Sequence, residues 1–180
     1  MVRQFARLRR GTVPESSDYS VVPSDGMCLN VFLVAHAPGA PRRVVLGKVD
    51  PSAPWWELAG LGPDRIARVR DRWVLPASQL LLLESPEVAA RRLARELLGL
   101  DPAPLRDPHV FSETYGRANA DGRDPHWDLH YVYEFDWPFG PVVRTSPWKE
   151  LALVDVPSTP RAEFGRGHAD VLELLGLVAA

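Results

Sequence analysis

The sequence predicts an α/β domain, and three observations support this prediction. The chain has 180 residues, 46% of them hydrophobic and 24% charged, which suits one globular domain with a substantial core. An apolar run at residues 28–36 is followed by a turn and a second run, which is typical of a strand hairpin. A capped amphipathic helix follows at residues 86–98. We expect a single domain over residues 1–180, with residues 1–26 as an N-terminal strand or connector and residues 27–177 as the core.

The first two strands are predicted at residues 28–36 and 43–49. The first run, CLNVFLVAH, is mostly apolar and contains β-branched side chains. The Pro38-Gly39 pair that follows it is a turn sequence. The two strands are therefore expected to be adjacent in the middle of the sheet.

Helices are predicted at three places. The clearest spans Pro86 to Leu98, because Ser85 is a good N-cap and Gly99 can adopt the left-handed conformation that ends a helix. A shorter helix can begin at Pro63, after a Trp-Trp pair. The residues from Ala162 to Leu175 have helical spacing of their apolar side chains and predict a C-terminal helix.

The later strands are separated by a long loop. Residues 101–125 are rich in turn formers, with a short strand expected near residues 109–113. Residues 127–135 alternate between an aromatic and a polar face, and residues 151–156 can form the last strand. The polar face of the alternating strand contains His126, Asp128, His130 and Glu134.

Composition limits the partners that the protein can have. The formal net charge is -2, so the chain has no broad positive field to attract nucleic acid or an anionic membrane, although a basic patch can be local. No apolar run approaches the roughly 20 residues that span a bilayer, and the N-terminus lacks the features of a signal peptide. The single cysteine, Cys28, suits a reducing compartment, and we expect a cytoplasmic protein.

Residues 72–100, RWVLPASQLLLLESPEVAARRLARELLGL, resemble the Nudix box. The family pattern is a glycine, five residues, a glutamate, seven residues and then Arg-Glu-aliphatic-x-Glu-Glu-x-Gly-aliphatic, commonly after a Trp-x-Leu-Pro-Gly-Gly loop. The residues that match, without any gap, are Trp73, Leu75, Pro76, Glu84, Arg92, Glu96, Gly99 and Leu100. The resemblance implies a Nudix-type α/β/α sandwich with a mixed central β-sheet.

The box at residues 78–100 is degenerate. Ser78 replaces the leading glycine, and Leu93 and Leu97 replace two glutamates of the helix. In the family, those glutamates hold Mg²⁺ or Mn²⁺ on a diphosphate, because hard cations prefer oxygen ligands. Leucine cannot bind metal, so the implied ion is held weakly or not at all, with Glu96 as its remaining helix ligand.

Two interpretations of the polar side chains of the helix remain open. The apolar face contains Ala89, Ala90, Leu93, Ala94 and Leu97, on the side where the family binds metal. Glu84, Arg92 and Glu96 lie on the opposite face, where they can form ion pairs that anchor the loop. Alternatively, the resemblance implies catalytic roles, in which Glu96 holds metal and Arg92 orients Glu84. Asp128, Glu134 or Glu113 would then supply replacement carboxylate chemistry.

Substrate-binding roles are predicted for the strand at residues 127–135 and its surroundings. The candidates are His126, Asp128, His130 and Tyr115, and the first three could also form a transition-metal site with Glu134 or Glu96. Strand alternation alone also explains the pattern. A pair of aromatic side chains, such as Trp55 and Trp56, could stack on a nucleobase or simply fill the core.

The functional hypotheses are an enzyme and a binding module. The first is a divergent Nudix-type hydrolase of a nucleoside diphosphate-linked substrate, with a weakened or non-standard Mg²⁺ or Mn²⁺ site. The second is a catalytically inactive Nudix-fold module that binds a nucleotide-like small molecule or a protein. Four successive leucines, Leu80 to Leu83, could in either case cover a second subunit, and a homodimer is a possible assembly.

Overall fold

A computed structural model describes residues 27–178 except 59–62, 82, 103, 116–125, 139 and 166. The predicted N-terminal strand or connector at residues 1–26 therefore lies outside the described residues. The strands of the described part are Met27–Ala37 (β1), Ala40–Val49 (β2), Ala77–Gln79 (β3), His109–Tyr115 (β4), His126–Asp136 (β5) and Trp148–Asp155 (β6). The helices are Pro54–Leu58 (α1), Pro63–Val69 (α2), Pro86–Leu93 (α3) and His168–Leu174 (α4).

The strands form one mixed sheet in the order β4-β5-β1-β2-β6, with β3 also paired to β1. Strands β1 and β5 are parallel, whereas the other pairs are antiparallel. The register of β1 and β5 runs from Met27 beside Trp127 to His36 beside Asp136. Because side chains alternate along a strand, the odd-numbered residues of both strands lie on one face of the sheet and the even-numbered residues on the other.

Each face of the sheet is covered by helix and has its own core. On the α3 face, Val31 and Leu33 of β1 belong to the same buried cluster as Phe135 of β5 and the helix residues Leu93 and Leu97. The cluster on the α4 face consists of Phe32, Val34, Val132, Val171, Leu172 and their neighbours. The predicted α/β class and its α/β/α sandwich are therefore confirmed.

Helix α3 begins as the sequence predicts. The Ser85 side chain accepts a hydrogen bond of 3.3 Å from the Val88 amide, and Gly99 has a left-handed backbone with φ 68°. The helix continues beyond α3 as a π-helical turn at Ala94–Leu98, and π-helix occurs mostly as such single turns within α-helices.

Side chains from the sheet side hold the end of α3. The Leu97 carbonyl accepts hydrogen bonds from Thr145 Oγ1 at 2.6 Å and from the buried Trp148 Nε1 at 2.7 Å. The Trp148 ring also packs on Gly47, where an added Cβ would lie 2.3 Å from the ring. The end of the helix is therefore tied to strands β2 and β6.

Three local predictions need correction. The C-terminal helix begins at His168 instead of Ala162, because a 3-10 turn occupies Arg161–Glu163 and Gly167, with φ 80°, interrupts helical geometry just before His168. The last strand begins at Trp148, before the expected Leu151. The short strand Ala77–Gln79 was not expected, because its pairing with β1 is not a local property of the sequence.

None of the helices in the described part of the chain has the length and apolar character that crossing a membrane requires.

Candidate functional site

The polar side of α3 is dominated by an ion pair between Arg92 and Glu84. Arg92 Nε lies 2.7 Å from Glu84 Oε1, and Arg92 Nη2 lies 2.8 Å from Glu84 Oε2. The two side chains are only 14% and 7% exposed. The Leu81 amide donates to Glu84 at 2.9 Å, and Arg92 donates to the Gln79 carbonyl at 3.3 Å. This bidentate pair therefore anchors the loop before the helix, which agrees with both interpretations of these side chains.

The electrostatics of Arg92 follow from this geometry. Burial by itself disfavours the charged guanidinium and lowers its pKa. The hydrogen bonds and negative charge of Glu84, with a smaller contribution from Glu96, outweigh burial and raise the pKa of Arg92 above its usual value. Arg92 is thus a permanent cation whose charge is balanced by neighbouring carboxylates.

Glu96 is the carboxylate that remains where the family pattern has metal ligands. Its Oε2 accepts hydrogen bonds from Trp55 Nε1 at 3.0 Å and from Arg92 Nη1 at 3.4 Å. The side chain is 28% exposed. Glu96 therefore joins helix α1 to the ion pair on α3, and its catalytic and metal-binding roles stay predictions.

The leucines that replace the other two glutamates are part of the core. Leu93 and Leu97 are both 0% exposed and pack between α3 and the sheet. Two buried hydrocarbon side chains and one carboxylate shared with Trp55 and Arg92 do not match the oxygen-rich ligand set that Mg²⁺ or Mn²⁺ requires. Among the described residues, no three His, Cys, Asp or Glu side chains are grouped as a possible metal site. The donor set at this helix does not fit the implied ion.

The polar row of β5 lies on the opposite face of the sheet from α3. Val132, an even-numbered residue, is in the α4-face cluster, whereas Tyr133 and Phe135 are in the α3-face cluster. Asp128, His130 and Glu134 share the face of Val132 by strand alternation. The expectation that these side chains complete one site with Glu96 is therefore wrong, because the sheet separates them.

His130 is at the centre of a hydrogen-bonded row across three strands. The side chain of His130 is 5% exposed, and its Nε2 lies 3.4 Å from Glu113 Oε2 of β4. Its Nδ1 lies 3.4 Å from the Asn30 amide nitrogen of β1. Asp128 is directly opposite Glu113 in the β4–β5 register. The predicted ligand-binding residues Asp128 and His130 are therefore neighbours of Glu113, which the sequence analysis names as a possible replacement carboxylate, and of Asn30, which it does not single out.

Two other predicted binding residues, Tyr115 and His126, are opposite each other at the end of the β4–β5 pair. Their side chains lie outside the described residues, so their roles stay predictions.

The leucine run is divided: Leu80 is buried, whereas Leu83 is 98% exposed with φ 64°. The homodimer stays a prediction.

A second polar cluster was only partly expected. His36 of β1 and His109 of β4 both contact Glu134, at 2.6 Å and 2.9 Å. Strand alternation makes Glu134 a candidate, whereas the sequence predicts His36 only as the last residue of an apolar strand. The available indication is a histidine near the end of a mostly apolar strand.

No family model matches the sequence, and no curated protein sequence matches it significantly. Solved structures do resemble it. The E. coli dihydroneopterin triphosphate pyrophosphohydrolase aligns with a TM-score of 0.56 and 14% identity, over 86% of this chain and 95% of that one. A MutT Nudix hydrolase from Burkholderia pseudomallei aligns with a TM-score of 0.53 and 18% identity, over 82% and 96% of the two chains.

A third similar structure is the Nudix domain of Shewanella oneidensis NrtR in complex with ADP-ribose. Its TM-score is 0.52 and its identity 17%, over 82% of this chain and 85% of that one. Identities this low concern the fold and not the substrate. The mixed sheet between two helical layers, together with these three structures, identifies the chain as a Nudix-fold protein.

Proposed function

We propose that this protein is a Nudix-fold binding module for a nucleotide-like small molecule, and that it does not hydrolyse diphosphates with a helix-bound metal. One observation carries the proposal: Leu93 and Leu97 are completely buried in the core where the family pattern has glutamates. A metal at that place would need carboxylates in a region that is packed with hydrocarbon. The lone Glu96 already accepts hydrogen bonds from Trp55 and Arg92.

In this proposal the ligand contacts Asp128 and His130 of the polar row on the α4 face. Tyr115 and His126, which are opposite each other at the end of the β4–β5 pair, are further candidate contacts. Carboxylates such as Asp128 and Glu113 accept hydrogen bonds. They suit the hydroxyl groups of a ribose or the amino group of a base better than they suit a phosphate, which they would repel. The NrtR Nudix domain was crystallised with ADP-ribose, which makes ADP-ribose a suitable first probe.

The competing function is hydrolysis of a nucleoside diphosphate-linked substrate with Mg²⁺ or Mn²⁺. It assigns Glu96 to the metal and Arg92 to the orientation of Glu84. The Arg92–Glu84 pair is compatible with both functions. The geometry supports hydrolysis less well because Leu93 and Leu97 are buried hydrocarbon and Glu96 already accepts hydrogen bonds from Trp55 and Arg92.

Binding and turnover are measured on the same preparations to separate the two functions. Calorimetry with ADP-ribose, ADP and ribose 5-phosphate reports binding, and a phosphate-release assay with Mg²⁺ or Mn²⁺ reports hydrolysis. We expect at least one probe to bind and none to be hydrolysed. The affinity for that probe should be weakened by Asp128→Asn and unchanged by Glu96→Gln. Metal-dependent turnover that Glu96→Gln abolishes would instead establish the hydrolase.

A further inference from the structure

The two strands at the ends of the sheet differ in how their outer edges are protected. In the described part of the chain, β4 is at one end of the strand order and β6 is at the other. An edge strand presents backbone N–H and C=O groups to which another strand can pair, and proteins usually block such edges with charged side chains, proline or a β-bulge. Strand β6 contains Lys149 and Glu150, and its register with β2 shifts between Lys48 and Val49. The β6 edge therefore has two of these features.

Strand β4 has little of this protection. Its sequence, HVFSETY, contains Glu113 but no lysine, arginine or proline. Its register with β5 runs without a shift over all seven residues. Val110 is 54% exposed, and Ser112 is also exposed. A regular, exposed edge strand with β-branched and aromatic residues is typical of a strand that pairs with another strand.

The order of side chains along β4 is complementary to itself under a two-fold rotation. When two copies pair antiparallel with Phe111 on the axis, the two Phe111 side chains lie opposite each other. His109 then lies opposite Glu113 of the second copy, on both sides of the axis, and Val110 lies opposite Ser112. This register therefore opposes an aromatic ring to an aromatic ring and an imidazole to a carboxylate, which are favourable cross-strand pairs.

Other registers that keep the same faces of the two sheets together are less favourable. With Val110 on the axis, Asp107 lies opposite Glu113 of the second copy, and like charges directly opposite each other are destabilising. With Ser112 on the axis, the apolar Phe111 ring lies opposite the Glu113 carboxylate. The side chains of β4 therefore favour the register with Phe111 on the axis.

The side chains that this register requires are accessible on the α4 face of the sheet. The rings of His109 and Phe111 are parallel, with 2° between their planes and 6.0 Å between their centroids. The His109 side chain is 49% exposed and the Glu113 side chain 24% exposed, although each also contacts a residue of β5. Both side chains therefore keep surface that a second copy can contact.

We propose that β4 is a self-association edge, at which two copies of the chain pair through antiparallel β4 strands with Phe111 on the two-fold axis. The two sheets then form one continuous sheet. Because both copies use the same surface, the assembly closes as a dimer. The leucines at residues 80–83 were the expected cover for a second subunit, whereas this inference places the interface on β4. It is independent of the proposed binding function.

Sedimentation equilibrium of the full chain tests the association. A single strand pair is smaller than a standard interface of about 1,600 Å², so we expect the average mass to rise from monomer toward dimer as the protein concentration approaches about 1 mM. Val110→Lys should raise the Kd of the dimer by about tenfold, because the axis places two lysines in the interface. Val143→Lys is the matched control, since Val143 is 66% exposed and lies outside β4, and its Kd should equal that of the wild type.

Two results of this experiment would overturn the proposal. One is a wild-type chain that stays monomeric at every concentration, which would leave the edge, if it pairs at all, to a strand of another protein. The other is a dimer that Val110→Lys and Val143→Lys weaken equally, because the interface would then lie elsewhere.

Disulfide trapping tests the register. The natural Cys28 is only 3% exposed, so an introduced surface cysteine is the one that reacts. In Phe111→Cys, the two Cα atoms lie directly opposite at about 4.5 to 5.5 Å, which a disulfide can span, and mild oxidation should give a covalent dimer. In Ser112→Cys, the two cysteines are offset by about 7 Å along the strands, beyond the reach of a disulfide, and should give little. Equal trapping at both positions would contradict the proposed pairing.

Discussion

Replacement of Leu93 by alanine tests whether the former metal face of α3 is now structural core. Leu93 is 0% exposed and belongs to the cluster on the α3 face of the sheet. The substitution removes three buried carbon atoms, which at about 0.8 kcal/mol each amounts to about 2.4 kcal/mol of lost transfer free energy. The remaining cavity adds to this loss, and similar substitutions cost about 2 to 5 kcal/mol. We therefore expect the free energy of unfolding to fall by at least about 2 kcal/mol.

Urea denaturation measures this change, with the fluorescence of the six tryptophans as the signal. Val88→Ala is the matched control, because Val88 is on the same helix but 54% exposed. Its free energy of unfolding should remain within about 0.5 kcal/mol of the wild type. A Leu93→Ala protein as stable as the Val88→Ala protein would mean that Leu93 is not packed in the core, and the basis for the proposed function would be lost.

Three further predictions concern the surroundings of this helix and the sheet. Arg92→Met leaves the Glu84 carboxylate buried without its bidentate partner and should lower the free energy of unfolding in urea by about 3 to 5 kcal/mol; a loss below about 1 kcal/mol would contradict this. Gly47→Ala places a Cβ 2.3 Å from the Trp148 ring. It should lower the midpoint of thermal unfolding by an amount that corresponds to a loss of about 1 to 3 kcal/mol in the free energy of unfolding. An unchanged midpoint would show that the ring can move aside. The pKa of Glu134 is lowered in the folded state, although burial opposes this. The stabilising contribution of the Glu134 carboxylate is therefore present above the unfolded pKa of about 4.3. It is lost as the pH falls through the lower folded pKa. Acid titrations of stability should show this loss in the wild type and not in Glu134→Gln, and identical curves would refute it.

Local features of the sequence were sufficient to predict much of the fold. The N-cap at Ser85 and the left-handed Gly99 depend on neighbouring residues, and the helix lies between them in the structure. The Pro38-Gly39 turn placed the first hairpin for the same reason, since its strands are consecutive. The motif register also predicted that Arg92 and Glu84 would be close, because a helix and a short loop bring them together.

Contacts between distant residues could not be predicted in this way. The face to which a strand's polar row points depends on its register with its neighbours, and the parallel pairing of β1 with β5 joins residues about 100 positions apart. For that reason Asp128 and Glu96 were expected in one site, although the sheet separates them. The Trp55–Glu96 hydrogen bond spans 41 residues and the Trp148–Leu97 bond 51 residues, and neither has a local sequence pattern.

Titration of the wild-type protein with Mn²⁺ alone, followed by calorimetry, tests most directly whether α3 has lost its metal site. We expect heats no larger than those of dilution, and the same result for Glu96→Gln, because Leu93 and Leu97 cannot supply ligands. Saturable Mn²⁺ binding in the wild type that Glu96→Gln abolishes would contradict this expectation and would restore the helix as a metal-binding element.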